Sequence, residues 1–392
     1  MRVLMITAFP TQPGKILGGV QAVATALSAG LVESDQIDSL YVLNFYVGSP
    51  PLKHISHTGK FNIIFVKAPN FLEAPTFFLV DWLRASIIAN RIHPDVVHGQ
   101  GIGKDGFIAS HLSYPSLTTV HGVSSVEARL TPRTPRNKLL TRLIDRRIGS
   151  VLRKTQVVIS TTKYDANIIR SQVTGRHLII PNPVALEYFS DWEENDASRF
   201  IDHREILFAG TIIPRKNVIG ILKAFKQVLK TIPDARLTLI GPHTDQVYAQ
   251  KCINIANHLE INNNIKFLGH VEQSVLNERL KACACLVMFS DEETSPTILM
   301  QAMALGKPVV ASSVGGIPEF VLHEQTGYLV NKQNESDLSE KLISILKNKE
   351  KQFQMGNYAH EFAEENFSPA KIVTSTVEAY GMALESKSRI RE

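Results

Sequence analysis

The sequence predicts an α/β protein built from two doubly wound domains. Three observations carry this. Short continuous apolar runs alternate with amphipathic helical stretches along the whole chain, as buried parallel strands joined by crossover helices require. The rhythm stops at an acidic stretch, Asp191-Trp192-Glu193-Glu194-Asn195-Asp196, and restarts at Ile206. The 392 residues also exceed what one ordinary core holds.

In the first half, strands are expected at Val3–Ala8, Leu40–Tyr46, Asn62–Val66, Asp95–His98, Ser116–Val120 and Val157–Thr161, with helical patterns at Gly19–Val32, Pro75–Ile92 and Asn137–Arg153. His177 to Pro183 closes this half. The second half begins with a strand at Ile206–Gly210, followed by a helix at Asn217–Lys230 with apolar residues at a clean 3.6 period. Further strands are expected at Arg236–Ile240, Ile265–Leu268, Cys285–Phe289, Pro308–Ala311 and Gly327–Val330, then a helix from Ser368 to Leu384. The expected division is a first domain over 1–183, a linker over 184–203, a second domain over 204–366, and a helical segment over 367–392 that packs back on the first domain. Two βαβ halves of this kind are expected to face a central cleft.

Composition sets the outer bounds. A hydrophobic fraction of 44% and a charged fraction of 20% are those of a globular enzyme, not of a disordered or fibrous chain. No stretch approaches the ~20 apolar residues that span a bilayer, and the first residues pass straight from an apolar run into Thr7 and Pro10, as a strand does and a secretory signal does not. Cys252, Cys283 and Cys285 have no zinc spacing and read as buried thiols. A cytoplasmic, reducing setting is expected.

Chemistry concentrates in the segment Glu293 to Glu319. Glu293 closes a loop after an apolar strand, and Ser295-Pro296 opens a helix, proline suiting a first turn whose amide is unpaired anyway. The amides of Thr297 and Ile298 are then left at a helix start, where an anion can be held. Gly315-Gly316 supplies a turn with unusual backbone angles. A second constellation is Gly210 to Asn217, a strand running into a glycine with Arg215-Lys216 at a helix entrance, the wrong end of the dipole for cations unless an anion sits between. Gly18-Gly19, between the first strand and its helix, allows close backbone approach to a phosphate or sugar. His121 stands at the end of an apolar strand, where open parallel sheets bind ligands, and His98 has the same placement.

Together these residues resemble the retaining, GT-B-fold glycosyltransferases of the nucleotide-sugar family numbered four, over essentially the whole chain and most closely from Gly210 to Gly327. The resemblance implies two Rossmann-like domains facing a cleft. It implies that Glu293 binds donor-sugar hydroxyls, that the amides of Thr297 and Ile298 hold the diphosphate, and that Arg215 and Lys216 neutralise it. Gly18 and Gly19 would face the donor phosphates and the acceptor, His121 the donor sugar, and the loop at His270 the base; Gly210 would line the same pocket. The family places a second glutamate eight residues after the first, and this chain has Gln301. An amide can still engage a hydroxyl pair, but losing charge assistance would weaken nucleotide binding by about 1–2 kcal/mol.

The activity implied is transfer of a sugar from a nucleoside diphosphate sugar to a hydroxyl, with retention, in cell-surface polysaccharide or glycolipid synthesis. No Asp-x-Asp follows an apolar strand, so no metal or other cofactor is expected, the two cations and the helix start acting on the leaving group. Replacing Lys216 by Ala is expected to cut turnover with little change in stability. The basic, amphipathic segment 129–154 suits an anionic membrane surface as well as an ordinary packed helix. Glycan or lipid-linked acceptors are therefore expected and nucleic acid is not. A sugar-nucleotide epimerase of the same fold, or an inactive nucleotide-sugar-binding partner subunit, remains the alternative. A nicotinamide enzyme is excluded, since Gly99-Gln100-Gly101-Ile102-Gly103 lacks the dinucleotide spacing.

Overall fold

The structure is a computed structural model that describes residues 1–12, 14–47, 59–68, 78–122, 146–190 and 204–391. Residues 191–203 of the expected linker 184–203, and most of the basic segment, 129–145, lie outside the described residues. The chain divides into two compact units, Met1–Ala185 with Pro369–Glu392, and Leu186–Ser368.

The first unit is a seven-stranded parallel sheet in the order β3-β2-β1-β4-β5-β6-β7. The strands are β1 Arg2–Ile6, β2 Ser39–Tyr46, β3 Phe61–Lys67, β4 Val96–Gln100, β5 Ser116–Val120, β6 Val157–Ser160 and β7 Arg176–Ile179. Successive side chains of β1 serve opposite cores, as a period of two dictates. Val3 and Met5 pack with Ala24, Leu27 and Leu31 of helix Gly19–Glu33, whereas Leu4 and Ile6 pack with Ala85, Ala89 and Ile108. Helix Pro369–Arg391 joins the first of these cores through Ile372, Val377 and Tyr380. Its close approach to helix Gly19–Glu33 needs Gly30, where a Cβ would lie 2.6 Å from Val373 Cγ2.

Two readings change here. β7, exposed at both ends, is a strand the apolar pattern did not mark. The helix expected from Pro75 is Leu79–Ile92, led by Phe78 in the left-handed region, with 69–77 outside the described residues.

The second unit is a six-stranded parallel sheet, order β10-β9-β8-β11-β12-β13. Its strands are β8 Glu205–Ala209, β9 Arg236–Ile240, β10 Ile265–Gly269, β11 Cys285–Met288, β12 Val309–Ser312 and β13 Gly327–Val330. Helix Val218–Thr231 buries Val218, Ile221, Leu222, Phe225 and Val228 against this sheet. Asn217 caps it, its side chain accepting from Gly220 N at 3.1 Å. All three cysteines are free and buried, and burial holds the Cys285 thiol well above its usual range. In both sheets the first strand lies between the second and the fourth, so the winding reverses beside it. Ligands bind at the carboxyl ends of strands at such a switch point; in the second unit that point is the β8/β11 pair.

Candidate active site

The switch point of the second unit carries a charged cluster. The loop after β8 makes a single 3-10 turn, Pro214–Lys216, ended by Asn217 in the left-handed region, so the cations lie one turn before the helix and not in its first turn. The anion they meet is the protein's own. Lys216 Nζ is in short contact with Glu293 Oε1, and Arg215 Nη1 lies 3.3 Å from Glu293 Oε2. Arg215 Nη1 also donates to the Glu292 carbonyl at 2.7 Å, and Asp291 N donates to the Arg215 carbonyl at 2.8 Å. Two loops far apart in sequence are thereby stitched together at the ends of adjacent strands.

Glu293 is 5% exposed. Burial pushes its carboxyl up, but the charges of Lys216 and Arg215, with hydrogen bonds from Lys216 and Ser290, outweigh this and hold it below the usual range. Two cations thus share this one carboxylate, with Asp291 and Glu292 in the same loop. The ion pair argues against the expectation of little change in stability in Lys216→Ala, because Lys216 compensates a buried charge. The depressed pKa also sets a pH dependence. Its contribution to stability is full above the ordinary Glu value of 4.5 and is lost as pH falls through the lower folded value. Thermal melts over this acid range are expected to show a limb that flattens in Glu293→Gln; equal slopes in both proteins would refute the ion-pair account.

The backbone around Glu293 is fixed from a third loop. Gly316 N donates to the Glu293 carbonyl at 3.0 Å, and Ser312 Oγ donates to the Ser290 carbonyl at 2.6 Å. Gly315 has φ +54°, and a Cβ there would lie 1.8 Å from the Glu293 carbonyl oxygen. Only glycine combines that angle with that approach.

Helix Thr297–Ala304 follows four residues after Glu293. Pro296 is its N-cap and not its first helical residue, a shift of one position from the expectation. The first bond of the helix start runs from Leu299 N to the Pro296 carbonyl at 3.0 Å, so the amides of Thr297 and Ile298 stand in the orphan-donor positions. Gln301, one turn on, is 8% exposed, and among the described residues its side-chain amide meets no hydrogen-bond partner. Gly210 is beside the cluster, 3.8 Å separating a Cβ there from Lys216 Cε. His270 stands apart from it, exposed after the edge strand β10.

In the first unit, Gly18 caps helix Gly19–Glu33 in an extended conformation any residue adopts, with open space where a Cβ would be. Neither strain nor crowding within the chain requires glycine at this position. His121 lies just past β5, half-buried, with Nε2 2.5 Å from Gln100 Oε1. Burial lowers its pKa to about 4, against a hydrogen bond to Asn182 that raises it. His98 differs from the expectation. It is fully buried, its Nδ1 2.9 Å from Tyr380 Oη, and burial first, then the neighbouring His121, lowers it to about 3. Sequence reasoning missed Gln100 and Asn182. The signal available was a polar residue ending a fully buried strand, Val96-Val97-His98-Gly99-Gln100, and an asparagine held between Pro181 and Pro183.

The basic segment is described only from residue 146. There the Arg147 guanidinium lies 5.5 Å from the Phe78 ring and 6.0 Å from the Phe107 ring, so this cation is engaged by aromatic faces. Among the described residues no helix is long and apolar enough to cross a membrane.

The fold is shared with known enzymes. Sucrose-phosphate synthase from Thermosynechococcus elongatus superposes with a TM-score of 0.80 at 18% identity, covering 98% of this chain and 99% of that one. HepE from Anabaena, solved with UDP-glucose, superposes with a TM-score of 0.71 at 17% identity, covering 97% of this chain and 100% of that one. This is the GT-B fold of glycosyltransferases. A curated relative, an uncharacterized glycosyltransferase of Methanocaldococcus jannaschii, is 26% identical over 292 residues, 73% of this chain and 75% of that protein. Two family profiles then tile the sequence, Glycosyltransferase Family 4 over residues 17–188 and Glycosyl transferases group 1 over residues 191–362. The chain belongs to family 4 of the glycosyltransferases.

Proposed function

We propose that the chain transfers a sugar, with retention and without a metal, from a nucleoside diphosphate sugar to a hydroxyl of a glycan or lipid-linked acceptor. The observation that carries this is the Arg215–Lys216–Glu293 cluster, its two cations gathered four residues from a helix start whose first amides are in orphan-donor positions. Charge develops on the diphosphate as the anomeric C–O bond breaks, and cations and amides already in place stabilise it without reorganising. The acceptor hydroxyl bonds to the anomeric carbon from the face the nucleotide leaves, and its proton passes to the departing phosphate oxygen. Glu293 orients sugar hydroxyls, His121 faces the donor sugar, and Gly18-Gly19 face its phosphates and the acceptor. Gln301 supplies an amide to the ribose diol, and His270 lies beside the base. The complex of HepE with UDP-glucose supports a donor of this class. Gln301 in place of a glutamate is the one observation that favours an inactive, nucleotide-sugar-binding subunit.

Helix Leu79–Ile92 supports a lipid-borne acceptor. Leu79, Leu83 and Ile87 recur at one helical face and are each about half exposed, with Arg84 and Arg91 exposed on the same helix. An apolar stripe edged by cations suits an anionic lipid surface. The test is turnover of UDP-glucose and other nucleoside diphosphate sugars by the full chain, in EDTA, with soluble acceptors and with lipid-linked acceptors in anionic vesicles. Release of nucleotide from one donor, and a product whose anomeric configuration matches the donor, are expected. Binding without turnover of any donor under all these conditions would favour the inactive subunit.

A further inference from the structure

The polar residues at the carboxyl ends of β4 and β5 form a connected row. His98 and Gln100 alternate to one face of β4, Gln100 is in register with Thr119 of β5, and His121 follows Thr119 by two residues. The side-chain amide of Gln100, 2% exposed, bridges the two imidazoles: Oε1 is 2.5 Å from His121 Nε2, and Nε2 is 3.1 Å from His98 Nε2. Beyond His98 the row ends on Thr119 Oγ1, 2.8 Å from His98 Nε2, and on Tyr380 Oη of helix Pro369–Arg391, 2.9 Å from His98 Nδ1. The Tyr380 ring meets the His98 ring edge to face, with centroids 5.5 Å apart.

We infer that Gln100 is a positioning residue for His121: its amide, clamped between two imidazoles, holds the His121 ring and fixes which ring nitrogen carries the proton, and Tyr380 anchors the far end of the row. The inference rests on the reading of His121 as the residue facing the donor sugar. An amide nitrogen only donates and an amide oxygen only accepts. With Gln100 Nε2 toward His98, the His98 Nε2 is a lone pair, its proton is on Nδ1, and Nδ1–H donates to Tyr380 Oη. With Gln100 Oε1 toward His121, the His121 Nε2 carries a proton and donates it, leaving Nδ1 as the ring's acceptor. Turning the amide over would reverse both tautomers together, so the two rings cannot change independently. Burial keeps both imidazoles neutral, and a single tautomer gives the ring's other neighbours, Asn182 among them, one defined partner atom. At the far end of the row the hydroxyls of Tyr380 and Thr119, each able to donate or accept, hold the His98 ring, and nothing in the proposed reaction touches Tyr380.

The test is NMR of the full chain labelled with 15N-histidine, alongside UDP-glucose turnover, for wild type, Gln100→Leu and Tyr380→Phe. Wild type is expected to show His121 as the single Nε2–H tautomer. Gln100→Leu should show mixed tautomers and a kcat lower by about 3- to 10-fold, the loss of one hydrogen bond, with KM less affected. Tyr380→Phe removes only a buried hydroxyl and should move the His121 tautomer in the same sense, which also serves if Gln100→Leu fails to fold. An unaltered Nε2–H pattern at His121 in Tyr380→Phe and in any folded Gln100→Leu overturns the inference. Should His121→Ala keep wild-type turnover while both variants shift the tautomer, the positioning stands and the role given to His121 falls.

Discussion

Lys216→Ala is expected to lower kcat with a nucleoside diphosphate sugar by about 10²- to 10³-fold, the usual consequence of losing one group aimed at developing charge. The same change is expected to cost the second unit about 3 kcal/mol, roughly 6–12 °C in Tm, because Glu293 would keep its burial with only Arg215 3.3 Å away. A drop in activity alone is therefore ambiguous. The double variant Lys216→Ala with Glu293→Gln resolves it, since removing the buried charge should restore most of the lost stability while turnover stays low. Calorimetry and steady-state kinetics on wild type, both single variants and the double variant give the full cycle. Wild-type kcat in a folded Lys216→Ala protein would remove Lys216 from the mechanism.

Gly315→Ala should be strongly damaging to the fold. The left-handed angle costs a non-glycine residue about 1 kcal/mol. The larger part comes from the 1.8 Å approach of the new Cβ to the Glu293 carbonyl oxygen, which accepts from Gly316 N. Relieving that overlap means moving backbone, so a total of about 3 kcal/mol or more is expected. Gly18→Ala is the control. Its extended angle and open surroundings predict a stability change within about 0.5 kcal/mol. A loss of turnover in Gly18→Ala without a change in Tm would place that backbone against the donor. Equal melting of Gly315→Ala and wild type would show that the third loop does not hold Glu293 as described.

The contrast between these glycines shows how far sequence reasoning reaches. Both pairs, Gly18-Gly19 and Gly315-Gly316, stand out in the sequence, but only coordinates show that Gly315 is needed by the chain's own backbone and that Gly18 is not. Strand positions were legible because strands buried on both faces are written as unbroken Val, Ile and Leu runs. β7 was not, since an edge strand reading Arg176-His177-Leu178-Ile179 lacks that signature. Arg215, Lys216 and Glu293 were legible as separate motifs. Their ion pairs were not, because they depend on β8 and β11 being neighbours, a fact of topology and not of spacing. The Gln100 row was the least legible part, since Tyr380 comes from a helix 280 residues further along, where one tyrosine in an amphipathic pattern carries no mark.

That helix also constrains the order of assembly. Residues 186–368 complete one folding unit, whereas the unit opened by residue 1 waits for residues 369–391. During synthesis the ribosome must release the whole inner unit before Ile372, Val377 and Tyr380 can join the core that holds Val3, Met5 and Leu27. Until then the part of this core that the last helix covers is exposed apolar surface, open to chaperones or to wrong partners. The half begun first is the half finished last.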